Sequence, residues 1–70
     1  MSSKSPRLTA KEIIKQLKDN GFVEISQSGS HKKLFHPETR RTAIVPFRQG
    51  KVIPIGTIKS IEKQSGIIFS

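Results

Sequence analysis

One histidine in this chain stands where a proton carrier would be useful. Gly29-Ser30-His31 joins a residue that permits a sharp turn, a small hydroxyl that donates and accepts, and an imidazole that exchanges a proton near neutral pH. Lys32 and Lys33 follow at once, so the imidazole lies in a positive field that draws in a phosphodiester and holds it. Arg48 and Lys51 offer further phosphate contacts. Such a set suits the cutting of RNA, whose 2′-OH is an internal nucleophile. A catalyst need only take that proton, steady the phosphate charge and let the 5′ oxygen leave protonated. This chemistry requires no metal and no cofactor. His31 suits either proton step, with Gly29, Ser30, Lys32, Lys33, Arg48 and Lys51 as RNA contacts; which group is the general acid stays open. Taken alone, a turn histidine is also explained as a solvated turn residue.

Charge supports an anionic partner. Thirteen Lys and Arg against five Asp and Glu leave a formal net charge of +8 on 70 residues. The basic residues recur near the turn, at Arg40-Arg41 and around Arg48 and Lys51, as in a nucleic-acid footprint; an acidic protein would be drawn by the same field. A membrane surface fits less well, since the helices lack a bulky apolar face flanked by Lys and Arg. The chain contains no cysteine, which removes a disulfide framework, a thiolate metal site and a cysteine nucleophile. His31 and His36 have no carboxylate at ligand spacing, so no metal site is predicted. No apolar run approaches the ~20 residues of a membrane span, and the polar start lacks a secretory core. The expectation is a soluble, cytoplasmic protein.

These residues need elements to hold them. Thr9-Ala10-Lys11-Glu12 reads as a capping box, with Leu8 and Ile13 placed as a hydrophobic staple. Ile13, Ile14 and Leu17 then give one apolar helix face, and Asn20-Gly21 ends it. Phe22 to Gln27 reads as a strand in which Val23 and Ile25 form the half-buried face against Glu24 and Ser26. Ser28-Gly29-Ser30 is a hairpin turn, Lys32 to His36 a second strand stopped by Pro37, and Arg41 to Pro46 a third. If Leu34 points inward, strand parity sends His31, Lys33 and Phe35 to the open face and His36 to the other, where it is structural or solvated. Phe35 there suits a stacked base or a protein contact equally. A second helix has Pro54 in its first turn, Ile55, Ile58 and Ile61 as its buried stripe, and Gly66 as its stop. Gly56 in that first turn is assigned to close packing ahead of a phosphate approach.

The sequence thus predicts one α+β domain over residues 1–70, with 1–7 flexible: helix, three-stranded antiparallel meander, helix, both helices on one face of the sheet. That α-β-β-β-α order resembles double-stranded-RNA-binding domains. The residues Gly21-Phe22, Gly29-Ser30-His31, His36-Pro37, Val45-Pro46, Gly56-Thr57-Ile58-Lys59-Ser60-Ile61 and Lys63-Gln64-Ser65-Gly66-Ile67 resemble the HicA family of toxin mRNA interferases, from Leu8 to Ile67. The resemblance implies a metal- and ribosome-independent endoribonuclease with a single catalytic histidine at His31. It also implies an mRNA substrate and a HicB-like antitoxin that covers the site, acidic to match the charge, with oligomers formed through that antitoxin. Phe35 and Lys33 are the expected contacts to it. Two positions depart from the family pattern: Ser26 stands where many members have a basic residue, and Arg48 where they have a histidine. A guanidinium at the second still holds phosphate. The alternatives are a non-catalytic RNA-binding module of the same fold, and a basic protein that only binds an acidic partner.

Overall fold

The computed structural model describes residues 8–48 and 50–69. The expectation for residues 1–7 falls outside them. Helix α1 spans Ala10–Asp19, strands β1 Val23–Ser28, β2 His31–Phe35 and β3 Thr42–Pro46, and helix α2 Ile55–Ser65. The strands form one antiparallel sheet in the order β1-β2-β3. Leu34, Ala43 and Val45 of the sheet share a buried cluster with Ile13 and Leu17 of α1 and Ile58 and Ile61 of α2, so both helices cover the same face.

Local chemistry sets the ends of α1. The Thr9 backbone N–H donates to the Glu12 carboxylate at 2.9 Å and the Glu12 N–H to the Thr9 hydroxyl at 3.4 Å, closing the capping box. Leu8, Ile13, Ile14 and Leu17 are buried, and Gly21, at φ +97°, turns the chain beyond the Asn20 cap. The Ile53 N–H donates to the Leu8 carbonyl at 2.8 Å, tying the start of α1 to the segment before α2.

The sheet departs from simple alternation at one point. Glu24 pairs with Leu34 but Ser26 with Lys33, so a bulge at Ile25 shifts the register. Glu24 therefore faces the helices, while Val23 and Ile25 are 47% and 51% exposed instead of half-buried. The apolar residue that β1's end contributes to the core is Phe22, just before the strand. Past the bulge, Ser26 and Ser28 stand opposite Lys33 and His31, on the open face.

Helix α2 differs in two details. Pro54 is its N-cap and not a first-turn residue, and Ile55 is exposed while Ile58, Ile61 and Ser65 are buried. At about 100° per residue, Ile58, Ile61 and Ser65 fall within about 60° of one another, and Ile55, in the first turn, lies about 60° beyond the edge of that arc. A Cβ built on Gly56 meets nothing within 4 Å, so close packing is not what that glycine serves. Gly66 ends the helix in the left-handed region, at φ +79°. The C-terminal part of α2 covers the edge of β3: Gln64 accepts the Ile44 N–H at 3.0 Å, and Arg41 donates to the carbonyls of Lys63 and Gln64. Among the described residues no helix is long and apolar enough to cross a membrane.

Candidate functional site

Gly29 and Ser30 form a two-residue loop between the paired Ser28 and His31, with Gly29 at φ +59°. Glycine in the first loop position matches the twist of the strands it joins. His31 thus opens β2 rather than lying in the turn, and the ladder holds it between Ser28 on β1 and Pro46 on β3. His31 is exposed and its ring makes no hydrogen bond among the described residues.

Parity carries the rest. Lys33 and Phe35 share the open face with His31; Lys33 is exposed and Phe35 half-buried between Val23 and Thr42. The face holds an imidazole, an ammonium, an aromatic ring and the hydroxyls of Ser26 and Ser28. Nothing in the chain around Val23 or Ile25 announces the bulge; reading the strand as regular already places the two serines on this face but turns Val23 inward and Glu24 outward, the reverse of what is found.

Lys32 is not part of the group. It opposes Val45 on the helix side, with its ammonium 3.7 Å from a Glu24 oxygen and 4.5 Å from the Phe47 ring centre. Glu24 also takes Lys18 at 3.8 Å. Arg48 and Lys51 are exposed in the loop after β3 and border a hollow of about 360 Å³ with Pro46, the cross-strand neighbour of His31. The Phe47 N–H donates to the Ser30 carbonyl, which fixes that loop against the turn. Gly29, Ser30, His31, Arg48 and Lys51 therefore cluster at one end of the sheet.

His36 has the opposite environment. Its Nε2 lies 3.0 Å from the Asn20 carbonyl oxygen, and its Nδ1 accepts the Glu38 and Thr39 N–H groups at 3.2 Å each. Those partners define the neutral tautomer with the proton on Nε2. The ring stands edge-on to Phe22, 5.1 Å between centres at 84°. A Cβ on Gly21 would come within 2.6 Å of Nε2, so glycine there leaves room for the ring as well as turning the chain. His36 is structural. With the two imidazoles on opposite faces they cannot share an ion, and no group of three or more His, Asp or Glu among the described residues is placed to hold a metal.

Fold and face together define a class: a small, strongly basic α+β domain whose helices back one side of a three-stranded sheet and leave the other open around a histidine. The family model for the HicA toxin of bacterial toxin-antitoxin systems matches residues 10–67, from the start of α1 to just past the end of α2. The chain belongs to the HicA toxin family. Among curated proteins, none matches it.

Proposed function

We propose that this protein is a toxin that cuts mRNA without metal or ribosome, with His31 as its one catalytic histidine. The observation that carries the reading is the contrast in hydrogen bonding: the exposed His31 ring has no bond among the described residues and stands on an open basic face, whereas both ring nitrogens of His36 are bound into the fold. RNA laid on this face brings its 2′-OH to the imidazole, which takes the proton as the oxygen attacks the adjacent phosphorus. Lys33 and, from the end of the sheet, Arg48 and Lys51 steady the negative charge, while Gly29 and Ser30 let the backbone approach closely. The P–O5′ bond breaks, the 5′ oxygen leaves with a proton, and the other fragment ends in a 2′,3′-cyclic phosphate.

The same openness explains control. A face that the described residues leave open is most simply closed by another protein, and a HicB-like antitoxin of acidic character fits its charge. Phe35 and Lys33 are its contacts, flanked by the exposed Val23 and Ile44. Incubating purified protein with RNA in EDTA tests the reading. The wild type should shorten the RNA and His31→Ala should not. Retarded but uncut RNA with the wild type would instead identify a binding module, and equal cutting by His31→Ala would remove this residue from the chemistry.

A further inference from the structure

A groove of about 860 Å³ runs on the helix side of the sheet, between α1 and the start of the loop after β3. Lys11, Lys15 and Lys18 line one bank, while Lys32, Phe47 and Arg48 form the other. Five cations thus face two carboxylates, Glu12 and Asp19, among the described lining residues. Those carboxylates are engaged: Glu12 closes the α1 cap at 2.9 Å, and Asp19 holds Lys15 at 3.1 Å. Lys18 and Lys32 share the single carboxylate of Glu24 at 3.8 and 3.7 Å, and Lys11 and Arg48 have no acidic partner among the described residues. Positive charge is therefore left over along a concave track, where low-dielectric walls strengthen it.

The track starts beside the proposed site. Phe47, at its wall, is hydrogen-bonded through its N–H to the carbonyl of Ser30, the residue before His31. A strand leaving His31 over this end of the sheet meets Arg48 first and the lysines of α1 next. We propose that this groove holds the phosphodiester backbone of the RNA beyond the nucleotides at His31, giving the enzyme a second contact on the opposite side of its sheet. The inference rests on the nuclease reading above. A continuous, flexible polyanion suits it better than a folded acidic protein, because the groove and the His31 face lie on opposite sides of a thin domain and one occupant must bend around its end.

The test measures binding, not cutting, so that the RNA survives. In full-length His31→Ala protein, the affinity for a labelled single strand of about 12 nucleotides is followed against salt, with a dinucleotide for comparison. Lys11→Gln with Lys15→Gln should weaken the longer RNA roughly 10- to 30-fold at 0.1 M salt and lower the salt slope by about 1.4, as two lost single-strand phosphate contacts require. The longer strand's advantage over the dinucleotide should shrink accordingly. Lys59→Gln with Lys63→Gln removes the same charge from α2 and should have a much smaller effect. Equal losses in both pairs would mean diffuse attraction and overturn the groove. Unchanged RNA binding with lost affinity for a polyglutamate peptide would overturn it too, in favour of an acidic protein occupant. If His31→Ala protein with its lysines intact bound no RNA even at low salt, the nuclease reading itself would fall.

Discussion

The two histidines at the ends of β2 have nearly opposite surroundings. His36 has partners for both nitrogens and an aromatic neighbour, all supplied by the α1 end, Phe22 and the turn after β2. His31 has solvent on one side and cross-strand neighbours that make no bond to its ring. The same division separates the two faces of the sheet: Leu34, Ala43 and Val45 are fully buried on one, while Lys33 and Ile44 are exposed on the other. Among the described residues the two helices cover only one face of the sheet. The uncovered face is left for something else to cover, and there a free imidazole costs nothing in stability.

Exchanging the fates of the two histidines gives the largest effects. His31→Ala should lower RNA cleavage at least about 100-fold with little change in urea midpoint, since general acid-base groups contribute about that much or more. His36→Ala should keep cleavage per folded molecule and lose about 1 kcal/mol of stability, because solvent-accessible hydrogen bonds to a carbonyl and two N–H groups and the edge contact with Phe22 are lost. A His36→Ala protein that is folded but inactive would erase the division. Gly21→Ala comes next. A side chain at φ +97° that presses on His36 should cost about 1–3 kcal/mol in urea unfolding and leave cleavage intact. Phe35→Ala should loosen the complex with the antitoxin by more than about 1 kcal/mol, read by titration calorimetry, without changing cleavage by the free toxin. Smallest is Glu24→Gln on the covered face, where two long, partly exposed ion pairs are lost: under about 1 kcal/mol, measured by thermal unfolding at low salt.

The sequence shows those parts of this fold that are decided within a few residues. Thr9 and Glu12 specify a helix start, Asn20-Gly21 and Gly66 specify helix ends, and Gly29-Ser30 specifies a hairpin loop, each through its own hydrogen bonds or backbone freedom. From Leu34 inward, parity then assigns His31, Lys33 and Phe35 to one face and His36 to the other. The bulge at Ile25 is different in kind. It shifts the pairing of β1 with β2 so that Glu24 turns towards Lys18 and Lys32 while the hairpin register is kept, and no local pattern marks it. The exposure of Val23 and the turning of Glu24 to the helix side were therefore out of reach. So was the groove, since the lysines of α1 read as a solvated helix face until Phe47 and Arg48 are folded against them.

The central claim is that the open face uses RNA's own 2′-OH through His31, and the fragment ends report on it directly. Mass spectrometry of a defined RNA cut by the wild-type protein in EDTA should show 2′,3′-cyclic phosphate, or its 3′-phosphate hydrolysis product, paired with 5′-OH ends, and His31→Ala should give neither. Fragments with 5′-phosphate and 3′-OH ends would mean that water attacked the phosphorus, which would contradict the account.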